Sequence, residues 1–355
     1  MLKVRGMHLT TLCQATFAGL RAIPLPRYVF VCVADHFEPD WQGATRNRQV
    51  DRVQRWVDDY ARLFSSFKDS RGRSPQHTFF YPIEVYDEPH IEQLCKLVRA
   101  GHGDIEIHLH HNDDCSSRLN DILEHYRHIL HERHGLLSRD SMGQIRYGFI
   151  HGNWALDNSH PDGKWCGVND ELTVLMQTGC YADLTMPAAP HAAQTRTINE
   201  IYYAVDDPSQ PKSHDRGVSA KVGMQPPKDS LLMIQGPLLV TLERGSVLPR
   251  LRLENGNLAG TQAPTLRRIQ RWLQAGVSVS GRPDWIFVKL YTHGAQESNM
   301  EVVLGEPMCQ MHQALNELSI SNGFQYFYVT ARELAQIVHQ AEAGLTSVDF
   351  DGLAW

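Results

Sequence analysis

The chain has 355 residues, 42% of them hydrophobic and 21% charged, a composition with room for a large core. Its formal net charge of −6, with no block of lysine or arginine, offers no electrostatic footprint for nucleic acid or for an anionic membrane surface. No stretch approaches the roughly 18 unbroken apolar residues of a membrane span.

Residues 1–27 begin with Lys3 and Arg5 in the manner of a signal peptide, but His8, Thr10, Thr11 and Gln14 interrupt the apolar segment such a peptide needs. They read as an N-terminal extension, and the chain as cytoplasmic. The cysteines Cys13, Cys32, Cys95, Cys115, Cys166, Cys180 and Cys309 are scattered, odd in number and free of any C-x-x-C pair. That pattern argues against a disulfide framework or a zinc ribbon and fits a reducing compartment.

From residue 28 onward the hydrophobic period switches repeatedly between two and about 3.6. YVFVCVAD (28–35) reads as a strand covered on both faces, followed by a helix marked by Val50, Val53, Val57, Tyr60, Phe64 and Phe67. HTFFYPIEV (77–85) is a second strand, and Ile91, Leu94, Leu97 and Val98 mark a helix that Gly101 can close. DIEIHLH (104–110) is a third, with a helix on Leu119, Ile122, Leu123, Tyr126, Ile129 and Leu130; His125, His128, His131 and His134 fall on its solvated side. RYGFIH (146–151) leads to a helix near 169–178, and CYADLTM (180–186) is a fifth strand.

The next helix comes late, at Leu266, Ile269, Trp272 and Leu273. WIFVKLYTH (285–293) and a helix around Met311, Leu315 and Leu318 follow, then FQYFYV (324–329) and a capping box of Thr330 and Glu333. Between them, 187–262 holds a loop-like run at 206–217 and two apolar runs, NEIYYAV and LLMIQGPLLVTLE, with no helical period. It reads as a β-rich insertion.

Seven strand-then-helix units call for parallel strands with right-handed crossovers, as a (β/α) barrel or an open doubly wound sheet. No G-x-G-x-x-G or P-loop follows the first strand, which favours the barrel. The fold expected is α/β: an irregular (β/α)7-type barrel over 28–355, with the 187–262 insertion above the C-terminal rim of the strands.

In such architectures chemistry gathers at the carboxyl ends of the strands. There the sequence delivers Asp35 and His36, Glu84, then His108, His110, His111, Asp113 and Asp114, then His151 with Asn153 and Trp154, then Asp183, and finally His293. His108 and His110 share one side of their strand, and His111 points the other way as a bystander. Either Asp113 or Asp114 can cap the following helix. A set of histidine and aspartate without cysteine suits one divalent ion in a site with open positions: zinc first, with cobalt, nickel, manganese or iron also suited. Such an ion polarises a carbonyl and brings the pKa of water to roughly 7. Asp35 is then available as base and His293 as acid for a leaving amine. No G-x-S-x-G elbow is present to supply a covalent route.

These residues resemble the motifs of the polysaccharide deacetylase family, the carbohydrate esterases that remove N-acetyl groups from chitin or peptidoglycan. VADHFEP is similar to that family's first motif, with Asp35 in the base position and His36 in a ligand position; Thr78, Phe79 and Phe80 match the strand that follows. GHGDIEIHLHHNDD resembles the next motif, with His110 as first ligand and Asp114 where the second histidine stands, and KLYTHGA resembles the late motif, with His293 as catalytic acid.

The resemblance implies a metal held by His36, His110 and Asp114, with His108 as substitute ligand. Deacetylation of an N-acetylated saccharide or related C–N substrate would follow. His108, His151, Asn153, Trp154, Asp183 and Glu84 remain for substrate. The chain departs from the pattern in exchanging aspartate and histidine ligands, in placing FIHGNWALDN where the family has an arginine motif, and in lacking an Asp-Trp motif. Members of that family usually act outside the cytoplasm. Two other readings compete: a glycoside hydrolase using Asp35 with Asp183 or Glu84, and a non-catalytic saccharide-binding protein with Trp154 and Trp165 as stacking platforms.

Overall fold

The computed structural model describes residues 3–4, 7–243 and 250–353. A short antiparallel pair, β1 (Lys3–Val4) and β2 (Met7–His8), leads into the helix α1 (Leu9–Leu20). The expected extension thus carries a helix, with Thr11, Ala15 and Ala18 buried; its residues 1–2 and 5–6, Arg5 among them, lie outside the described residues.

All nine residues of β3 (Tyr28–His36) are buried, because both of its faces are covered. The period of two sorts them. Val29, Val31 and Val33 join one apolar layer with Val53, Trp56, Tyr60 and Phe64 of α2 (Arg46–Phe64), whereas Tyr28, Phe30, Cys32 and Ala34 belong to a second layer. β4 (His77–Pro82) ends in a 3₁₀ turn at Ile83–Val85, so Glu84 leaves the strand before α3 (Glu88–Arg99) begins. Asp87 caps that helix by accepting from the His90 N–H at 3.1 Å.

β5 (Gly103–Leu109), α4 (Ser116–His134), β6 (Ser138–Arg139), β7 (Ile145–His151), α5 (Glu171–Gln177) and β8 (Cys180–Asp183) follow. On α4, His125 and His128 are exposed as expected, but His134 is buried. The last turn brings it between the Tyr86 hydroxyl (2.8 Å) and Glu92 (2.6 Å), partners that a helix-face argument does not see.

The 187–262 segment is β-rich: β9 (Ile201–Val205), β10 (Val218–Ser219), β11 (Ser230–Ile234), β12 (Leu239–Glu243) and β13 (Arg250–Glu254) lie in it, with 244–249 outside the described residues. The chain closes with α6 (Leu266–Ala275), β14 (Trp285–Thr292), α7 (Glu297–Val303), α8 (Glu306–Asn322), β15 (Gln325–Tyr328) and α9 (Ala331–Glu342). Thr330 and Glu333 form the expected capping box at the start of α9.

The architecture is mixed α/β around a mostly parallel central sheet, ordered β10-β9-β11-β8-β7-β5-β4-β3-β14. The run from β11 through β14 is parallel, β11 meeting β8 at Met233 and Asp183, and β9 and β10 extend it with antiparallel pairs. β14 pairs along β3 from Tyr28 to Asp35; β15 and β4 pair with its first and last residues respectively. Register aligns Asp35 with Thr292, His36 with Phe80, Pro82 with His108 and Leu109 with His151, so the carboxyl ends of five strands come to one edge. Among the described residues no helix is long and apolar enough to cross a membrane.

Candidate metal centre

Three strand ends converge on one carboxylate. Glu38, two residues beyond β3, is buried and turns Oε1 to His108 Nε2 (3.3 Å) and His110 Nε2 (3.1 Å) and Oε2 to His293 Nδ1 (3.3 Å). His108 is on β5 and His110 one residue past it, so strand alternation aims both the same way. His36 ends β3, with ring centroids 5.0 Å from His108 and 4.7 Å from His293. Trp154 and Tyr291 lie 6.3 and 6.1 Å from His36, and Trp41 lies 6.2 Å from His293. The group thus has an aromatic surround.

The outer contacts decide what the inner nitrogens can do. His108 Nδ1 lies 2.8 Å from the Ile150 carbonyl, an acceptor only, so that nitrogen carries the hydrogen. His110 Nδ1 lies 2.6 Å from Glu84 Oε1 and donates likewise. In the neutral rings both Nε2 atoms are therefore lone pairs, and both face Glu38 Oε1. Only a shared cation or protonated rings relieve that opposition. The two carboxylates push His110 up to about 10 against the effect of burial. Burial raises Glu38, but where the His108 and His110 rings are protonated their hydrogen bonds, with that of His293, outweigh it and hold the carboxyl far below the usual range. Burial and the neighbouring His293 and His108 hold His36 well below the usual histidine value. Glu38, His108 and His110 offer ligand atoms all within 4.8 Å of one another. Two histidines and a carboxylate, each histidine oriented from its far side, fit a divalent ion with open positions.

Other expected residues fall elsewhere. Asp35 faces away from His36, as alternation requires. It is buried beside Trp56, with Oδ2 2.8 Å from His77 Nε2 and Oδ1 accepting from the Gly294 N–H at 2.6 Å. A Cβ on Gly294 would come within 2.1 Å of Asp35 Oδ2. Asp35 therefore grips the loop that carries His293 and is not brought to the Glu38 group. Asp114 is not brought there either: it accepts from His111 Nδ1 (3.1 Å), Arg118 Nε (2.9 Å) and the Cys115 N–H (2.8 Å).

His151 is buried and lies with the half-buried His111 near Glu171, off the Glu38 group. Asp183 accepts from the Thr185 N–H (3.0 Å) and hydroxyl (2.7 Å), and that hydroxyl accepts from the His151 N–H (2.9 Å). Asn153 is exposed with φ +54°, and Trp154, with φ +55°, has its indole N–H buried without a hydrogen-bond partner. Each carboxylate weighed for glycosidic cleavage is thus bound to donors of its own. A polar cleft of about 460 Å³ lined by His160, Arg196, Lys212 and Arg216 includes none of the Glu38 group.

The sequence pattern passed over Glu38, the hub of the site, along with His77 and Trp41. Glu38 had a signal: it stands two residues beyond His36 in ADHFE, outside the strand and so outside the list of strand-end residues. No protein-family model and no curated protein matches this chain.

Proposed function

We propose that the protein is a metal-dependent hydrolase that removes acetyl from an N-acetylated saccharide or a related C–N substrate. The observation that carries this reading is the pair of Nε2 atoms of His108 and His110, both oriented from behind and both turned on one oxygen of Glu38. Glu38, His108 and His110 would hold the ion. A divalent cation supplies Lewis acidity, polarising a carbonyl and acidifying water to a pKa of roughly 7.

The chain's own groups would do the rest. His36, kept neutral by burial and by its histidine neighbours, can take a proton from the attacking water. His293, partly exposed beside Trp41, can give one to the leaving amine. Asp35 acts through Gly294 as a positioning residue rather than as the base. Trp41 and Trp154 offer faces for a sugar ring.

We further read the parallel strands as an irregular (β/α)7-type barrel. In support, buried Lys289 on β14 donates to the carbonyls of Leu184 and Met186, just beyond β8, each at 2.6 Å. The 187–262 excursion would roof the rim: the His191 ring lies 5.4 Å from Trp154, and the Leu258 carbonyl accepts from the Thr292 hydroxyl at 2.6 Å.

Elemental analysis and an acetate-release assay test the proposal together. His110→Ala is expected to lose one equivalent of divalent metal and, with it, acetate release from N-acetylated oligosaccharides. Acetate release by metal-free protein would overturn the reading, as would a metal-replete protein silent on a broad panel of N-acetylated saccharides.

A further inference from the structure

A second convergence lies on the opposite side of the β5 end. His110 and His111 are consecutive, and while His110 turns to Glu38, His111 turns to Glu171 at the start of α5. His151, from the end of β7, reaches the same carboxylate. Cys166 completes the group from the loop before α5, and the four residues offer ligand atoms all within 4.8 Å of one another.

Every one of these residues is held from its outer side. His111 Nδ1 donates to Asp114 Oδ2 at 3.1 Å, and Arg118 holds that carboxylate in turn. His151 Nδ1 donates to the Gly152 carbonyl. Glu171 Oε2 accepts from the Asp157 N–H at 2.6 Å. Cys166 Sγ receives the N–H groups of Asn158 (3.2 Å) and Val168 (3.4 Å), contacts that favour a thiolate, while burial and Glu171 push the metal-free thiol up to about 11. Gly167, at φ +104°, lets this loop press on the β5 end: a Cβ there would meet Asp114 N at 2.7 Å.

What remains points inward. His111 Nε2 and His151 Nε2 lie 3.2 and 3.6 Å from Glu171 Oε1, while Cys166 Sγ lies 3.3 Å from Oε2. A hydrogen-bonded ion-pair network alone does not account for the group, because His151 Nε2 is fully buried and has no hydrogen-bond partner. Bonds of about 2.0–2.3 Å to a tetrahedral zinc ion put neighbouring ligands roughly 3.3–3.8 Å apart; the three contacts to the Glu171 carboxylate, at 3.2–3.6 Å, lie close to that spacing, and all four ligand atoms lie within 4.8 Å of one another.

We propose that His111, His151, Cys166 and Glu171 form a second, closed metal centre that holds a structural zinc-type ion. It clamps the 158–171 segment and the ends of β5 and β7 together. Four protein ligands leave no open position, so this centre is structural where the Glu38 group is open. Binding releases two protons to solvent, the thiol proton of Cys166 and the Nε2 proton that Glu171 and Asp114 hold on His111, because the ligands are a thiolate and a neutral imidazole. Asp114 then orients a ligand from outside the coordination sphere.

Cobalt(II) reconstitution of the chelated protein tests this independently of any catalytic reading. The Glu38 group contains no sulfur, so a thiolate-to-cobalt charge-transfer band reports the second centre alone. The wild-type protein is expected to bind two equivalents and show the band. Cys166→Ser and His151→Gln should each lose the band, and His110→Ala should keep it while losing one equivalent. A wild-type protein without the band, holding only an ion-pair network at these residues, overturns the proposal. So does a band that survives in Cys166→Ser. Should both variants of the second centre fail to fold, the wild-type spectrum decides.

Discussion

Glu84 gives the sharpest test of how the Glu38 group is built. Its Oε1 lies 2.6 Å from His110 Nδ1, a charge-assisted contact, and its other oxygen is buried without a partner. A carboxylate behind a metal-binding imidazole raises the basicity of the far nitrogen, and its loss typically costs about 10–100-fold in metal affinity. At 1.4 kcal/mol per tenfold that is about 1.4–2.8 kcal/mol. Gln at position 84 keeps an acceptor for Nδ1 but not the charge, which places Glu84→Gln near the low end, at about tenfold. Glu84→Ala removes the acceptor and belongs near the high end. The Glu84 side chain is 24% exposed, so water can partly replace it and hold the alanine effect below full ligand loss. Chelator competition on cobalt-loaded protein measures the change, and the sulfur charge-transfer band of the other group is the internal control. Wild-type affinity in Glu84→Ala would refute the orienting role. Equal weakening of both centres would show a general loss of structure instead.

Asp35→Asn is expected to keep its metal while destabilising the fold by about 1–3 kcal/mol, since His77 and Gly294 lose a charged acceptor in a buried setting. Denaturant midpoints check this; an Asn variant of undiminished stability that has lost turnover would restore Asp35 as the base. Gly294→Ala forces a Cβ against Asp35 Oδ2 at 2.1 Å and Trp56 Cζ2 at 2.7 Å, and should lower stability by about 1–3 kcal/mol on thermal unfolding. Unchanged melting would contradict the packing described.

Burial pushes the Asp183 carboxyl up to about 7, so between about 4 and 7 the folded state keeps a proton that the unfolded chain releases. Its stabilising contribution is complete below about 4 and is lost as pH rises toward 7. Asp183→Asn should therefore flatten the stability profile over that window, and an unaltered slope in a pH series of melts would count against it.

The strands and helices were legible because burial leaves a local record. A strand covered on both faces must be apolar throughout, as YVFVCV is, and a helix packed on one side must repeat every three or four residues, as Val53, Trp56, Tyr60 and Phe64 do. The excursion at 187–262 was visible as a break in that rhythm, but its pairing was not. β9 and β11 extend the central sheet through contacts that no local period encodes.

The chemical inventory followed the same division. Sequence order alone determined that histidines and carboxylates would crowd the carboxyl ends of parallel strands, and the period of two put His108 with His110 and set His111 apart. Which carboxylate each histidine meets was decided only by tertiary structure. Asp35 and His36 are neighbours in the chain yet face different layers, because successive side chains of a strand alternate. Glu38 lies outside the strand, so no period governs its direction; the register of β3 against β14 and β4 brings it between His293 and His108. His111, Cys166 and Glu171 are separated by up to 60 residues, and only the approach of the 158–171 segment to the end of β5 makes them one group. Side-chain type and alternation are local properties of a chain, whereas coordination is a property of distances between segments, which exist only once the chain has folded.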